Sequence, residues 1–273
     1  MLKNLIFIVD EKIELPVYED RNVKVVRQKK TDEIIKGDRE STLYICDDGR
    51  TAEKLHKAGE NVVALLTTDN GNEDFSFCKF AVMDAAGCEL DFFEGVLKRF
   101  LGLPWDILET ERCLIRETTV EDVDAFYELY KDKEITEYME NLFEDRDEEI
   151  EYTKSYIKNV YEFYGFGMWT VVEKTSGKII GRAGVSYREG YELPELGFMI
   201  GKAYWRQGFA YEVCSAISNY MYENYDMEEI QIFIEPKNTP SIFLAKKLGA
   251  YLYKEQCMGT CDCYLMKLPL SRS

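Results

Sequence analysis

Short apolar runs alternate with amphipathic segments in the first hundred residues. Continuous apolar runs, each as long as a buried strand, occupy 5–9, 43–46 and 62–66, and a further short strand is predicted at 79–83. Apolar positions with helical spacing occupy 51–58 and 90–101, and a glycine follows each of these segments as a stop signal. This alternation predicts a small α/β unit with a Rossmann-like, three-layer arrangement.

Beyond residue 110 the pattern changes, because β-rich runs follow one another with few helices between them. Strands are predicted at 112–117, 168–174, 178–188, 191–200, 229–235, 250–257 and 262–268, and helices at 120–130, 147–163, 206–223 and 240–248. A tight turn at 175–177 joins two of these strands into a hairpin. The expected sheet is mixed and mostly antiparallel, flanked by helices, and the chain as a whole is of the α/β (α+β) class.

Length and the chemistry of one junction divide the chain into two domains. A chain of 273 residues exceeds the usual size of a single domain. Pro104 keeps the residue before it out of a helix, and the residues around it are too apolar for a free tether. We expect a non-catalytic binding, regulatory or dimerising module at 1–103, a docked linker at 104–110 and a second domain at 111–273.

Composition narrows the classes of function. The chain carries 34 Lys and Arg against 51 Asp and Glu, a formal net charge of −17. Because nucleic-acid binding needs clustered basic residues, we expect no nucleic-acid partner, and the charge favours cationic partners instead. No apolar run reaches the ~18 residues of a membrane span and no secretion signal is evident, so we expect a cytoplasmic protein without membrane partners. The sequence leaves open whether the protein forms a homodimer.

Metal and hydrolase chemistry are not expected. The eight cysteines are scattered, and Cys257, Cys261 and Cys263, which flank a predicted hairpin turn at 258–260, have no fourth ligand nearby. The one histidine, His56, excludes most arrangements in which His activates Ser or Cys. We therefore expect reduced thiols and no metal site.

Acidic residues of the first module follow two predicted strands, Asp10 after one and Asp47 and Asp48 after another. Open parallel sheets bind their ligands at this edge, and the module resembles a shrunken HAD-like phosphatase domain. That resemblance implies a carboxylate pair, but residues 10–12 lack the second aspartate of the family's nucleophile motif. The competing interpretation is that Asp47 and Asp48 cap the helix that follows.

In the second domain, an apolar strand ending at Ile200 leads through a short turn into a helix with small residues at its start. Gly208 and Ala210 leave the free backbone N–H groups of a helix start unshielded. This pattern is typical of a phosphate or pyrophosphate site beside a strand edge. The alternative is that these residues only allow the helix to pack tightly on the sheet.

Further motifs extend this pattern in a fixed order. They are an opening strand and helix start at 114–124, Glu-Leu-Gly-Phe at 195–198, Trp-Arg-Gln-Gly-Phe-Ala at 205–210, Asn-Thr-Pro-Ser at 238–241 and Lys-Leu-Gly at 247–249. As a set they resemble the GNAT superfamily of acyl-CoA-dependent N-acetyltransferases, and within it the RimJ/RimL-like branch. The resemblance covers roughly residues 111–270. It implies a GNAT fold, acetyl-CoA as cosubstrate, and acetyl transfer to a primary amine, either a small cationic amine or a peptide N-terminus.

The resemblance also implies roles for residues around a slot where strands 196–200 and 229–235 splay apart. The cofactor would contact Phe198, Met199, Ile200, Arg206, Gln207, Gly208, Phe209, Ala210, Asn238 and Ser241. Glu195 is the expected general base. Ser241 is the expected donor to the leaving thiolate, with helix capping as its alternative, and the N–H of Met199 is an oxyanion donor. The acceptor would contact Trp169, Tyr187 and Glu195.

Acidic residues concentrate between 120 and 156, where 14 stand against four basic residues. One interpretation is the solvated faces of two helices. The other is an acidic lip that attracts a positively charged acceptor. In GNAT proteins this helix pair flanks the acceptor side, which supports the second interpretation.

Two positions depart from the family pattern. Trp205 stands where Gln or Arg is usual, which removes nothing from a backbone cradle. Ala245 stands where many members carry a tyrosine acid, so the proton donor is left undetermined, with Tyr251 and Tyr253 as fallback candidates. This departure keeps a second function open, a non-catalytic acyl-CoA or metabolite sensor that reports to the N-terminal module.

Overall fold

The two patterns of the sequence correspond to two sheets in two units, Met1–Trp105 and Asp106–Ser273. The structure is a computed structural model that describes residues 1–18, 22–30, 33–258 and 261–271. The hairpin turn predicted at 258–260 lies in part outside these residues. Within them, the chain has no helix that is both long and apolar enough to cross a bilayer.

The first unit is a parallel sheet of five strands in the order β2-β1-β3-β4-β5. Its elements are β1 (Asn4–Ile8), β2 (Lys24–Arg27), β3 (Thr42–Cys46), α1 (Gly49–Lys57), β4 (Val62–Leu65), β5 (Phe80–Val82) and α2 (Leu90–Phe100). Alternate residues of β1 enter two cores, Leu5 with Phe93 of α2, and Ile6 with Leu55 of α1. A sheet covered on both faces requires this division. The edge strand β2 is not predicted, because its valines are only half-buried and a lysine and an arginine flank them.

The second unit is an eight-stranded sheet in the order β12-β13-β11-β10-β9-β8-β7-β6. Its strands are β6 (Asp106–Glu109), β7 (Cys113–Arg116), β8 (Met168–Glu173), β9 (Ile179–Ser186), β10 (Glu195–Ile200), β11 (Glu229–Ile234), β12 (Tyr251–Met258) and β13 (Cys261–Pro269). Its helices are α3 (Val123–Tyr130), α4 (Lys133–Thr136), α5 (Arg146–Tyr156), α6 (Glu162–Tyr164), α7 (Phe209–Tyr225) and α8 (Thr239–Leu248). Neighbouring strands are antiparallel except β10 and β11. The mixed, mostly antiparallel sheet and the α/β class are therefore confirmed.

The segment 104–110 is not a linker over most of its length. Strand β6 pairs with β7, with Glu109 opposite Leu114. Ile107 and Leu108 pack against the core of the second unit. Two of the apolar residues that suggested docking, Ile107 and Leu108, thus belong to an edge strand of the second sheet.

The two faces of the second sheet differ in chemistry. Helix α7 covers one face with a wholly apolar core that includes Leu196 and Ile217. The other face also carries polar side chains: Arg116 pairs with the buried Asp122 at 2.7 Å, and Asp122 accepts a hydrogen bond from Thr170 at 2.9 Å. The polar face is the one that could bind a polar acceptor.

Candidate functional site

Strands β10 and β11 part almost as soon as they meet. Within the described sheet they are paired at one position, Glu195 with Gln231. There Gln231 N–H donates to Pro194 O at 2.9 Å, and the Gln231 side chain donates to Leu193 O at 2.6 Å. Beyond this position the two strands have no further register partners, so the splay expected between them is confirmed.

The register decides which backbone groups of β10 face the resulting slot. Gly201 N–H donates to Ile180 O of β9 at 2.7 Å. Backbone groups of alternate residues point to the same neighbour in an antiparallel ladder, so the N–H of Met199 also points to β9. The expectation that Met199 donates to an oxyanion is therefore corrected. The N–H groups that face the slot are those of Phe198 and Ile200.

The turn between β10 and α7 presents a row of free backbone donors. Arg206 and Gly208 have left-handed conformations, with φ of 59° and 85°, and α7 has no side-chain N-cap. Its first bond runs from Glu212 N to Gly208 O at 3.0 Å. Within the described chain, no N–H from Gln207 to Tyr211 donates a hydrogen bond of ordinary geometry. A row of free N–H groups at the positive end of a helix dipole is an anion site.

Arg112 fastens this turn in place. Its backbone N and its Nε donate to the Glu212 carboxylate at 2.9 and 2.7 Å, and its Nη1 donates to Gln207 O at 3.0 Å. Its guanidinium lies 4.0 Å from the centre of the Phe209 ring. Burial alone would raise the pKa of Glu212, but hydrogen bonds from Thr110 and Arg112 lower that pKa overall. Sequence reasoning missed Arg112, because no local signal links it to a glutamate a hundred residues away.

The side chains predicted around the turn play different parts. Arg206 and Gln207 are exposed, and Gln207 Nε2 donates to Ala203 O at 2.8 Å. Phe209 is buried in the core, so it offers a ligand only its backbone. Trp205, the departure from the family pattern, donates its indole N–H to Ile200 O at 2.6 Å. That bond satisfies the carbonyl of the last residue of β10, and it uses none of the free N–H groups at the start of α7.

Helix α8 begins at the far side of the slot, and its cap is Asn238. Asn238 Oδ1 accepts from Ser241 N at 3.2 Å, so the expected capping role of Ser241 is wrong. Ser241 is half-buried, and its hydroxyl makes no hydrogen bond within the part of the chain that the structure describes. Ala245 is fully buried in the core. The hydroxyl of Ser241 is therefore left free to meet a ligand.

Glu195 lies at the closed end of the slot, where β10 and β11 last pair. Its side chain is 15% exposed, and its Oε2 accepts from Arg188 Nε at 2.5 Å. That hydrogen bond raises the pKa of Arg188, whose guanidinium also lies 5.3 Å from the centre of the Phe233 ring on β11. The expected base thus begins in an ion pair, with its Oε1 as the oxygen that can accept a proton.

The two aromatic residues predicted at the acceptor pocket have different positions. Trp169 is fully buried and packs edge-on against Tyr220 of α7 at 5.9 Å. The expectation that it contacts the acceptor is wrong, because it lies on the core face of the sheet. Tyr187 is exposed and packs against Tyr164 at 5.3 Å and Phe166 at 5.7 Å. Its role at the acceptor site stays a prediction.

Several carboxylates of the acidic segment have structural partners. Asp132 and Asp145 cap α4 and α5. Glu149 is buried and accepts from Phe143 N at 3.1 Å. Among the acidic residues of this segment only Asp122 and Glu149 are buried and the others are exposed or half-buried, so the solvated faces and the acidic lip both stay predictions.

In the first unit, the carboxyl edge of the sheet is filled by the protein's own contacts. Asp48 caps α1 by accepting a backbone N–H at 2.8 Å, as expected for a capping residue. Asp47 does not cap: it is 7% exposed, pairs with Lys30 at 2.8 Å and accepts from Asp10 N at 2.9 Å. Among the described residues there is no group of three or more His, Cys, Asp or Glu side chains able to hold a metal.

Comparison with known proteins gives the class of this protein. The family model described as "Acetyltransferase (GNAT) domain" matches residues 112–251, which is just over half of the chain. The chain therefore belongs to the GNAT acetyltransferase family, whose members use acetyl-CoA. The matched range lies entirely in the second unit, so the HAD-like and Rossmann-like interpretations of the first unit stay predictions.

Individual relatives agree with this class. The chain is 27% identical over 148 residues to "Uncharacterized N-acetyltransferase p20" of Bacillus licheniformis, covering 53% of this chain and 82% of that protein. A GNAT-family acetyltransferase structure from Bacillus anthracis is similar with a TM-score of 0.51 and 22% identity, over 59% of this chain and 97% of that one. The structure of RimL, a ribosomal L7/L12 α-N-protein acetyltransferase, is similar with a TM-score of 0.54 and 12% identity, over 62% and 96%. These neighbours share the fold of the second unit.

Proposed function

We propose that the protein is an acetyl-CoA-dependent N-acetyltransferase whose acceptor is a primary amine, either a small cationic amine or a peptide N-terminus. One observation carries the proposal: a row of free N–H groups at 207–211 lies directly after the strand that parts from its neighbour. A cosubstrate with a diphosphate at one end and an amide-bearing arm at the other fits both features at once. Family membership supports the acetyl group as the one transferred.

The cosubstrate would be held mostly by backbone groups. Its diphosphate would accept hydrogen bonds from the turn that begins α7, where the helix dipole adds a favourable charge. Its pantetheine amides would pair with the free groups of Phe198 in the manner of an added strand. Asn238 would reach it from the start of α8, and the Ser241 hydroxyl would lie near the sulfur.

The reaction proposed is direct attack. The acceptor ammonium gives a proton to Glu195, directly or through a water, and the amine nitrogen then attacks the thioester carbonyl carbon. The C–N bond forms, the C–S bond breaks, the thiolate takes a proton from the Ser241 hydroxyl, and the Ser241 oxygen takes back the second proton that the attacking nitrogen sheds. Alignment of the two reactants is the largest contribution, since well-oriented pairs reach effective molarities of ~10⁵ M or more.

The test is release of CoA thiol over a panel of amines that includes polyamines, aminoglycosides, amino acids and peptides. Glu195→Gln removes the base but keeps the shape, so we expect kcat to fall about 10²- to 10⁴-fold with the affinity for acetyl-CoA unchanged. Glu192→Gln is the matched control, because Glu192 is an exposed carboxylate three residues away. We expect this control to behave as wild type.

A non-catalytic acyl-CoA sensor is the second candidate, and two observations favour it. The position of the usual tyrosine acid is a buried alanine, Ala245, and the expected base Glu195 is held by Arg188. A sensor predicts acetyl-CoA binding with thiol release that never exceeds blank hydrolysis on any amine. That outcome would replace the enzyme by the sensor.

A further inference from the structure

Arg182 is a half-buried cation without a carboxylate partner. It lies on β9 opposite Met199 of β10. In a chain with 51 acidic residues, none of the described carboxylates lies within ion-pair distance of its guanidinium. Its Nε is buried and makes no hydrogen bond. A buried N–H without an acceptor costs free energy, so native structures usually satisfy it.

The contacts that Arg182 does make are with aromatic rings of α3. Its guanidinium lies 4.6 Å from the centre of the Phe126 ring. It also lies beside the Tyr130 phenol: burial raises the pKa of Tyr130, and the positive charge of Arg182 works against that rise. A ring face and a neutral phenol hold the guanidinium in place but leave its charge unpaired. Its fixed donors remain matched to a carboxylate.

The register places Arg182 and Glu195 on one face of the sheet. Opposite residues of β10 and β9 are Glu195 and Ser186, then Gly197 and Gly184, then Met199 and Arg182. Directly opposite side chains of an antiparallel pair share a face. We call the part of this face between Glu195 and Arg182 the strip. Glu195 lies at its acidic end and Arg182 at its basic end, four residues apart, which is ~13 Å along the strand.

Between the two charged ends the strip has no side chains of its own. Gly197 and Gly184 lie opposite each other, but the backbone oxygen of Gly167 lies where a Cβ of Gly184 would be, so a molecule that spans the two ends would pass over Gly197. A Cβ built on Gly197 would lie 3.0 Å from Met168 Sδ, so a thioether lines this floor. An extended, partly apolar molecule with unlike charges at its ends fits such a strip.

We propose that Arg182 binds a carboxylate of the acceptor. The acceptor class is then a small amine that also carries a carboxylate several bonds from the reacting nitrogen, as in an ω-amino acid or the side-chain amine of a diamino acid. The ammonium approaches Glu195 and the carboxylate lies on the guanidinium of Arg182. This inference rests on the proposed function, and it selects one kind of amine within it.

The experiment compares amines with and without the carboxylate. The pairs are 6-aminohexanoate with pentylamine and lysine with cadaverine, each measured by thiol release with saturating acetyl-CoA. For the wild type we expect kcat/KM to be at least about tenfold higher for the member with the carboxylate, the size of one charge-assisted hydrogen bond. Arg182→Gln should remove that preference by raising KM for this member of each pair.

Two further variants separate binding from structure. Arg182→Lys keeps the charge without the planar fork, so it should restore part of the preference. Arg146→Gln makes the same substitution at an exposed arginine that pairs with Asp124 at 2.6 Å, and it should keep the full preference. Because the readout is a ratio of two substrates on one protein, a loss of fold stability alone does not change it.

The outcomes are distinct. A wild type that acetylates plain amines as well as their carboxylate partners, or a preference that survives Arg182→Gln, overturns the inference and leaves the proposed function standing. A wild type that binds acetyl-CoA but acetylates no member of either pair also overturns it. A wild type that does not bind acetyl-CoA overturns the proposed function, and the inference falls with it.

Discussion

Helices α1 and α7 both begin after the carboxyl end of a strand, and they treat their first N–H groups in opposite ways. At α1, Asp48 accepts from Thr51 N at 2.8 Å, and Glu73 accepts from Gly49 N at 3.0 Å. At α7, Gly208 offers no side chain and the first N–H groups stay free. The protein's own carboxylates occupy the first helix start, and the second is left open to solvent or a ligand.

The difference teaches how to recognise an anion site. Both starts contain a glycine, and both have the positive end of a helix dipole. What separates them is two competing acceptors, the neighbouring Asp48 and Glu73, which lies 24 residues from the glycine that it caps. A free helix start is therefore defined by the absence of a competing acceptor, and the experiments below add or remove such acceptors.

The largest expected effect comes from giving α7 the cap that α1 has. Gly208→Asp places a carboxylate on the free N–H groups, where it competes with the diphosphate and repels it. We expect the affinity for CoA to fall by at least about 100-fold, since a charged partner is lost and a like charge is added. Calorimetric titration of CoA measures the change.

Gly208→Asn is the matched control for this substitution. Asparagine tolerates the positive φ of 85° about as well as aspartate and also caps helices, but it has no charge. It should weaken CoA binding less than aspartate does, and its effect should depend less on salt. Equal losses for the two variants would mean that strain rather than charge explains them.

A smaller effect is expected when the turn before α7 is held less tightly and no side chain is added over its free N–H groups. Glu212→Gln weakens the bonds by which Arg112 holds the turn, at 2.7 Å from Nε and 2.6 Å from Nη2. We expect CoA to bind about tenfold more weakly, the size of one charge-assisted hydrogen bond. S-acetylpantetheine lacks the diphosphate, so its KM should not change. A parallel loss for both thioesters would contradict the role given to the turn.

The Glu212 carboxylate should also make the free energy of unfolding depend on pH. The pKa of Glu212 in the folded chain lies below its ordinary 4.5, because hydrogen bonds from Thr110 and Arg112 outweigh burial. Its contribution to stability is therefore fully present above about pH 4.5 and is lost as the pH falls through the folded value. Urea unfolding should show wild type more stable than Glu212→Gln at pH 6, with the difference shrinking towards pH 3. A constant difference would contradict the assignment.

The smallest expected effect is in the first unit. Asp48→Ala removes the cap of α1 and should cost about 1 kcal/mol of the free energy of unfolding of that unit. We expect no change in CoA binding, because the anion site proposed here belongs to α7. Thermal unfolding and CoA titration of the same sample check both statements, and a variant that binds CoA differently would break the contrast between the two helix starts.

The sequence was sufficient to predict the elements with strong periodicity and the backbone part of the site. Helix 206–223 was expected and α7 runs Phe209–Tyr225, starting later because Arg206 and Gly208 are left-handed. The short elements β2, β6 and α4 were not expected, since four residues at an edge or turn carry little pattern. Motif order located the slot and the turn, because both depend on backbone and on glycine.

The side-chain part of the site was less accessible to sequence reasoning. Trp169 was placed on the acceptor face, but a strand's two faces differ by one residue, and only the register of β8 with β9 decides between them. Arg112, Arg182 and Arg188 were missed for the same reason. Each acquires its meaning from a residue on another element, which no local pattern reveals.

The most direct test of the central claim is a calorimetric titration of CoA into the wild-type protein, repeated with adenosine 3′,5′-bisphosphate and with pantetheine alone. If free N–H groups at the start of α7 bind the diphosphate, CoA binds saturably at one site per chain, much more tightly than either fragment. An absence of saturable CoA binding, or an affinity that pantetheine alone reproduces, would contradict the account.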